Sequence, residues 1–330
     1  MPAGVRYVLA CLGLALCVSA FPSAADAQLG GALSEFSFLR LDASARSAAL
    51  GSSLSAVKAD DTASFFYNPA LAHPTSAGQG VASYSDFIAD SQVGMLAYSH
   101  ALGEETVVSA GVRYVDWGEF DGRDAAGVPT EAFHARDVGL TVGWAGAIDE
   151  HWRYGANLHF LYAAIETARA TALAGDVGVQ AYWPGSGWSV STSLHHMGGT
   201  LSNLGAERAS LPFDWRIGVA RSVPHLPVQL SMTGYDLHNM GEALPDEGTA
   251  GQVLGHLTFG VEAYLGEVIT LRGGYNHRRS RELVLNDRLD WAGVGGGFGV
   301  HLGPLRADYA FTSWSSFGGL HQISVQLGPA

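Results

Sequence analysis

Thirteen histidines in a chain of 330 residues make metal binding the first chemistry to consider. Two of them, His195 and His196, are adjacent in an alternating stretch that predicts a β-strand. Successive side chains of a regular strand point to opposite faces, so we expect these two histidines not to share one ion. The histidine pattern therefore predicts no metal site, and nothing else in the sequence indicates a cofactor.

The glycines and serines form neither a nucleophile motif nor a phosphate-binding motif. No Gly-x-Ser-x-Gly elbow and no Walker-type loop occurs, so we predict no enzymatic activity. The glycine-rich run 295–299 is not followed by a predicted helix, which favours a strand with a small-residue face over a nucleotide loop. The acidic stretch 116–124 has oxygen ligands suited to calcium, but a solvated loop is the simpler interpretation.

The composition excludes a nucleic-acid-binding protein. The net charge is −13, whereas a protein that binds phosphate backbones needs a basic face. Charged residues make up 15% of the chain, against roughly 25% in a soluble domain. Hydrophobic residues make up 47%, so the chain is expected to fold.

Residues 1–27 have the three parts of a secretory signal peptide: Arg6, an apolar run at 7–18, and the small-x-small site Ala25-Asp26-Ala27. Cleavage before Gln28 removes both cysteines, Cys11 and Cys17, which excludes thiolate chemistry in the mature chain. An alternative is a lipoprotein attached at Cys17, although the bulky Leu16 fits that signal badly. An uncleaved anchor is a weaker alternative, because the apolar run is shorter than the ~20 residues that span a bilayer.

Alternation of apolar and polar residues is the dominant pattern after residue 78. In 256–264, for example, Leu257, Phe259 and Val261 fall on one face and Thr258 and Glu262 on the other. Fourteen such segments predict strands, most about ten residues long, the length of a tilted strand crossing a bilayer. They are 79–85, 92–100, 106–116, 136–147, 152–164, 173–183, 187–197, 212–222, 227–237, 255–264, 268–277, 290–301, 304–312 and 319–328.

Short and long connections alternate along the chain, which is typical of an outer-membrane barrel with turns at one rim and loops at the other. The short ones are 101–105, 148–151, 184–186, 223–226, 265–267 and 302–303, and the longest are 117–135, 198–211, 238–254 and 278–289. The eight tryptophans fall near segment ends, which predicts two aromatic girdles: Trp117, Trp215, Trp291 and Trp314 at the long-loop rim, and Trp144, Trp152, Trp183 and Trp188 at the other.

These patterns predict an all-β fold, a 14-stranded antiparallel transmembrane β-barrel. Strands can span hydrocarbon only in a closed barrel, because every backbone polar group must be paired within the protein. The predicted organisation is a signal peptide at 1–27, an N-terminal plug at 28–78, and the barrel at 79–330. An even strand number places both barrel ends on the periplasmic side.

A stripe of glycines on the segment 290–301 predicts where the plug packs. Parity places Gly293, Gly295, Gly297 and Gly299 toward the lumen, and Ala292, Val294, Phe298 and Val300 toward lipid. Glycine weakens a strand, and close approach of another backbone is the usual reason for it. We expect residues 36–72, with the turn Asn68-Pro69-Ala70, to enter the lumen and pack near this stripe. The alternative is that the glycines relieve crowding or let the sheet curve tightly.

The inward-facing charges have mixed signs, which favours a filled lumen over an open channel. Parity predicts that they are Asp137, Arg153, Asp176, Arg216, Glu262, Arg272, Arg306 and Asp308. In a water-poor lumen, such charges are expected to pair with each other or with the plug. Ordinary polarity of a hydrated lumen is the open alternative.

Four stretches in order give the chain a resemblance to a known group. The N-terminal segment contains Ala45-Arg46, Ala48-Ala49-Leu50-Gly51 and Phe66-Tyr67-Asn68-Pro69-Ala70. On these residues it resembles the hatch of FadL-like outer-membrane barrels, and more closely that of the PorV/PorQ family of the type IX secretion system. Three further stretches resemble PorQ: 114–120, Leu211-Pro212-Phe213, and 274–279 followed by Glu282-Leu283. One departure is the non-aromatic end Leu327-Gly328-Pro329-Ala330, because many such barrels end in an aromatic residue.

The resemblance implies a non-enzymatic secretion component that lies in the outer membrane, with lipid around the barrel. It also implies that the barrel anchors other type IX secretion proteins, including a surface-attachment subunit and a sortase-like protease. The predicted partner-binding loops are 117–135 and 238–254, since loops on a rigid scaffold carry recognition. The residues we single out at the external rim are Trp117, Glu119, Phe120, His277, Arg278 and Arg279. The alternative function is a FadL-like channel for uptake of hydrophobic small molecules. That function predicts an apolar pocket and a gap in the wall.

Overall fold

The chain folds into a closed barrel of fourteen antiparallel strands in sequential order, closed by pairing of the first strand with the last. A computed structural model describes residues 36–57, 61–86, 91–124, 126–205, 209–241, 243–244, 247–283, 291–314 and 318–329. The predicted fold class is confirmed. The predicted signal peptide and the lipoprotein alternative fall outside the described residues.

Each of the fourteen predicted segments overlaps one strand. The strands are β1 (Gly80–Asp86), β2 (Gln92–Ala101), β3 (Val107–Phe120), β4 (Phe133–Ala147), β5 (Trp152–Ile165), β6 (Ala168–Trp183), β7 (Trp188–Ser202), β8 (Asp214–Ser222), β9 (Val228–Gly234), β10 (Leu257–Leu265), β11 (Ile269–Asn276), β12 (Val294–Leu302), β13 (Leu305–Ser313) and β14 (Gly319–Leu327).

The helices are short, and they lie in the plug or in the connections between strands. The α-helices are α1 (Ala45–Ala49), α2 (Thr249–Gly255) and α3 (His277–Leu283), and 3-10 turns occupy Ser37–Arg40, Thr62–Phe66, Pro69–Leu71, Pro74–Ser76 and Leu237–Asn239. None of the helices among the described residues has both the length and the apolar character needed to cross a membrane.

Apolar side chains cover the outside of the barrel, and polar side chains and the plug fill the inside. On β5, for example, Leu158 and Phe160 are exposed while Asn157 and His159 are buried. The same outward set includes Leu96, Leu140, Val142, Leu173, Leu230, Leu271, Phe298, Ile323 and Val325. An apolar exterior with a polar interior is the arrangement of a barrel that faces lipid.

The wall is taller on one side than on the other. Strands β3 to β7 have 14 to 16 residues, whereas β8 to β14 have 7 to 9. Short turns join these strands at one rim of the barrel. The extra length of β3 to β7 therefore extends toward the long-loop rim. At ~3.3 Å per residue, five extra residues lengthen a strand by roughly 17 Å, and the wall rises by less because the strands are tilted. The loop predicted at 117–135 therefore begins as strand and is reduced to residues 121–132.

The prediction of two tryptophan girdles is correct at one rim only. Trp144, Trp152, Trp183 and Trp188 are all 37–41% exposed near the short turns, as a girdle requires. At the long-loop rim, Trp215 and Trp291 face outward, but Trp117 and Trp314 do not. Trp117 donates its indole N–H to the lumenal Asp137 at 2.7 Å, and Trp314 lines an internal cavity, because both find polar or cationic partners inside the rim.

Candidate functional site

The segment before β1 fills the lumen and contacts the wall at two opposite places. Helix α1 packs against strands β11 to β14, and the turn Pro69–Leu71 packs against β4 to β6. Most of the plug is buried, including Phe36, Phe38, Leu50 and Phe65, each at most 1% exposed. The plug therefore supplies the apolar core that the polar inner face of the barrel lacks.

Only part of the glycine stripe on β12 lies against the plug. A Cβ added at Gly295 would lie 2.6 Å from the carbonyl oxygen of Ala48, and one at Gly297 would lie 2.8 Å from the Cβ of Ala49. The backbone of β13 also crowds Gly297, and Gly299 leaves room for the side chains of Arg272 and Asp308. The close-approach and the crowding explanations thus each apply at particular positions.

The prediction for the start of this strand is wrong. Strand β12 begins at Val294, so Gly293 is not part of the inward stripe. Gly293 has φ +79° and lies in the turn before the strand, against Asn276 and Ser280. Ala292 is 1% exposed rather than lipid-facing, because the chain has already folded inward over the rim there.

The turn Asn68-Pro69-Ala70 packs on a different part of the wall from the predicted one. Its neighbours are Gly155 on β5 and Gly178 on β6, where an added Cβ would overlap Pro69 and Asn68. Asn68 caps the turn by accepting the N–H of Ala70 at 2.9 Å, and its amide donates to the backbone oxygen of Ser55 at 3.3 Å. The backbone beside the β12 glycines belongs instead to α1, whose small side chains permit the approach.

A ladder of ion pairs joins the plug to the wall. Arg46 of α1 binds Glu262 bidentately, with contacts of 2.9 and 2.5 Å. Glu262 also accepts from Arg272 at 2.8 Å, and Arg272 donates to Asp308 at 2.6 Å. Beyond it, Arg306 lies 2.7 Å from Asp308. The predicted pairing of lumenal charges with each other and with the plug is therefore present at these positions.

Neighbouring carboxylates stabilise the positive charge of the buried Arg46. Burial alone opposes the charge, but the carboxylates of Glu262 and Asp61 outweigh it and raise the pKa of the Arg46 guanidinium above its usual value. Arg46, Glu262 and Arg272 are all at most 4% exposed as side chains, so these charges are shielded from water. Removal of one member would leave an uncompensated buried charge.

The remaining predicted lumenal charges find other partners. Arg153 donates to the plug backbone at Ala72, at 3.0 Å, and lies 3.5 Å from Glu105. Arg216 pairs with Asp214 at 2.6 Å.

Above the plug, a cavity of about 480 Å³ opens toward the long loops. Its lining carries both signs of charge: Arg40, Arg113, Arg216, Arg278 and Arg279, and Asp42, Asp214, Asp236 and Glu282. The floor belongs to the plug, where Tyr67 accepts the N–H of Ser44 at 2.9 Å and burial raises the pKa of the Tyr67 phenol to about 12. The rest of the lining includes apolar and aromatic residues such as Leu39, Phe66 and Trp314, so the cavity has mixed polarity.

The basic residues predicted at the external rim bind the protein itself. Arg278 donates to Asp236 at 2.8 Å, and the same carboxylate receives the plug residue Arg40. Arg279 lies over the ring of Trp314 at 5.1 Å and 3.7 Å from the carboxylate of Asp42 in the plug. His277 lies 3.1 Å from the hydroxyl of Tyr275. The start of α3 therefore ties the long-loop rim to the plug.

The predicted residues of the other rim group lie at the top of the tall wall. Trp117 points inward, as described above, whereas Glu119 and Phe120 are exposed on β3. The ring of Phe120 stacks on Phe133 of the paired strand at 5.6 Å. The exposed Phe120 and the half-buried Phe133 form an apolar patch at the base of the 121–132 hairpin.

One cluster was missed because the strand is not regular. His195 and His196 are both buried, 0% and 5% exposed, and both lie on the lumenal side. The register between β6 and β7 shifts at Gly175/Val177, and His196 has φ +57°. The expectation that adjacent histidines face opposite sides is therefore wrong here. The only signal in the sequence is that the alternation of 187–197 breaks at this pair.

The same fold occurs in solved outer-membrane channels. The toluene transporter TodX of Pseudomonas putida matches with a TM-score of 0.56 at 11% identity, over 86% of this chain and 96% of TodX. A TodX mutant described as a monoaromatic hydrocarbon channel gives 0.55 at 11%, over 86% and 97%. A FadL homologue of Pseudomonas aeruginosa gives 0.51 at 10%, over 86% and 98%. No protein-family model and no curated protein matches this chain. At such low identity the likeness concerns the fold.

Proposed function

We propose that this chain is a plugged outer-membrane barrel, exported by the leader at 1–27, that anchors partner proteins at the cell surface as a PorQ-like component of the type IX secretion system. The observation that carries this proposal is the fastening of the plug: residues 36–57 and 61–72 lie in the lumen, and the buried Arg46–Glu262–Arg272 ladder ties them to the wall. A barrel closed in this way serves as a rigid support for other proteins.

Two properties of the wall and cavity favour a support over a channel. All neighbouring strands, including β1 with β14, pair antiparallel among the described residues, with register shifts between β3 and β4 and between β6 and β7. The cavity above the plug has nine charged side chains within a lining of mixed polarity, and an apolar substrate would have to desolvate those that it covers.

The tall side of the wall is the surface that best suits a protein partner. It lifts the 121–132 hairpin above the rim, where Val128 is 56% and Phe120 43% exposed. Exposed apolar groups on a rigid projection are typical anchors of a protein interface. The partners implied by the resemblance are a surface-attachment subunit and a sortase-like protease, which act on cargo carrying a C-terminal signal domain.

Affinity capture from detergent-solubilised membranes tests this surface. The tagged chain should retain the surface-attachment subunit, and the double variant Phe120→Ser, Val128→Ser should retain at least about 10-fold less, the loss expected when interface anchors are removed. The matched control is Leu226→Ser, because Leu226 is 60% exposed in a turn at the opposite rim. Equal capture by the double variant and the control would contradict this assignment of the surface.

The second candidate function is uptake of hydrophobic small molecules. It is favoured by the cavity beneath the long loops and by the fold shared with the toluene transporter TodX. Under this function, the plug would have to move to let a substrate pass. Deletion of the gene would then reduce accumulation of toluene, with no effect on secreted cargo.

A further inference from the structure

A bulge in β7 gathers three ionisable side chains at one buried point of the lumen. Because the register slips beside Gly175 and Val177, His195 and His196 both turn toward Asp176 on β6. The αL conformation of His196, with φ +57°, is uncommon for a residue with a side chain. Bulges and such conformations recur where a strand must re-aim a side chain.

The ligand atoms of these three residues have the spacing of a metal site. One atom each from Asp176, His195 and His196 lies within 4.8 Å of the other two. His195 Nδ1 is 3.3 Å from Asp176 Oδ2, about the edge of a tetrahedron with metal–ligand bonds near 2.0–2.1 Å. Apart from this contact with Asp176, the buried Nδ1 of His195 has no hydrogen-bond partner among the described residues.

The second nitrogen of each histidine is already fixed by the protein. His196 Nδ1 donates to the backbone oxygen of Pro212 at 2.9 Å, which leaves Nε2 with its lone pair. His195 Nε2 lies 2.8 Å from the hydroxyl of Ser193. Outer hydrogen bonds of this kind set the tautomer and orientation of metal-binding histidines.

Two further side chains hold the carboxylate in place. His159 Nε2 lies 2.7 Å from Asp176 Oδ2, and its Nδ1 lies 2.9 Å from the hydroxyl of Thr141. Asn157 donates to the same carboxylate oxygen at 3.1 Å. The 2.7 Å contact is too short for an edge between two ligands, so His159 orients Asp176 and is not itself a ligand.

We propose that Asp176, His195 and His196 bind a divalent transition-metal cation of the zinc class, with a fourth coordination position open toward the cavity above the plug. His196 lines that cavity, which gives the ion a path from the long-loop rim. Two imidazoles and one carboxylate with an open position form a donor set that zinc uses in proteins. The site would tie β6 to β7 where the tall wall begins, and it is independent of which function the barrel has.

Metal titration of the purified barrel tests the site directly. The protein carries a tag without histidine, is stripped with a chelator in detergent, and is then titrated with zinc by calorimetry. We expect saturable binding of one ion per chain and a rise in thermal stability with zinc, because the ion binds the folded state. Cobalt added in place of zinc should give the intense visible absorption of a four-coordinate site. Absence of saturable zinc binding, or a cobalt spectrum of the hydrated ion only, would overturn the proposal.

Substitutions separate this site from other buried histidines. His195→Gln and His196→Gln should each weaken zinc binding about 100-fold or more, and His159→Gln about 10-fold, as outer-sphere partners do. The matched control is His256→Gln, because His256 is also buried, 1% exposed, with Nδ1 on a backbone oxygen at 2.9 Å. An equal loss in the control would overturn the assignment. Heat-modifiable migration on gels verifies folding, and the cobalt spectrum of the unaltered protein decides the question if a variant does not fold.

Discussion

At the scale of single residues, Arg46 decides how firmly the plug is held. It is the plug's one cation in contact with Glu262 of the wall in the described chain, and it lies 3.5 Å from Asp61 within the plug. A buried arginine that satisfies two carboxylates stabilises the assembly mainly because its loss would leave charge unpaired. The same side chain on the surface would contribute little.

Arg46→Met should lower the free energy of unfolding by about 3–5 kcal/mol, the usual cost of breaking a buried pair from one side. The measurement is urea unfolding in lipid or detergent, followed by tryptophan fluorescence. Arg40→Met is the matched control, since Arg40 pairs with Asp236 but is 48% exposed, and it should change stability by less than ~1 kcal/mol. Equal effects of the two variants would show that the ladder does not fasten the plug.

The histidine pair shows where residue-level prediction from the sequence stops. Parity correctly predicted that Glu262, Arg272 and Asp308 face the lumen, because each lies in a regular stretch of strand. It failed at His196, because one inserted residue reverses the facing of every side chain that follows. A bulge depends on pairing with a neighbouring strand, which local alternation does not report.

At the scale of elements, the plug fits the wall because glycines on several strands give it room. Gly274 on β11 shows the closest approach to the plug backbone, since an added Cβ there would overlap the backbone of Leu50 and Gly51. The neighbouring Gly273 faces the other side, and an added Cβ there meets only Val261, at 3.6 Å. Of these two adjacent glycines, only Gly274 lies against the plug, so only Gly274 is needed to leave room for it.

Gly274→Ala should displace α1 and lower the free energy of unfolding by about 1–3 kcal/mol, the usual cost of forcing an atom into a filled site. Gly273→Ala should stay within ~1 kcal/mol of the parent chain. Trypsin gives a second measurement, because cleavage after Arg46 requires the plug to leave the lumen. If the two variants are cleaved at the same rate, the plug does not depend on this contact.

Strand positions were predictable, whereas strand lengths were not. The apolar and polar faces of a barrel wall enforce alternation, which located all fourteen strands within a few residues. At the upper ends of β3, β4, β6 and β7, small and polar residues such as Gly118, Gly198 and Gly199 interrupt the alternation, so the pattern does not mark the strand there. The partners of Asn68-Pro69-Ala70 were likewise hidden, because inward glycines on β5 and β6 offered a second place for the plug.

At the scale of the whole molecule, a fastened plug, a closed wall and a raised rim favour a support for other proteins. The fold alone does not separate a support from a channel, since the toluene transporter TodX has the same barrel fold. The presence of a plug does not separate them either, because the plug segment is the part that resembles the hatch of FadL-like barrels. What favours a support is that the buried Arg46–Glu262–Arg272 ladder holds the plug, which opposes passage of a molecule unless the plug moves.

Deletion of the gene in the source bacterium, with complementation by the intact chain, tests whether the barrel supports protein secretion. The measurement is the fraction of signal-domain cargo attached to the cell surface, with toluene accumulation measured in the same strains. We expect cargo to be lost from the surface in the deletion strain and to return on complementation, and we expect toluene accumulation to be unchanged. Normal surface cargo together with reduced toluene accumulation would contradict this proposal.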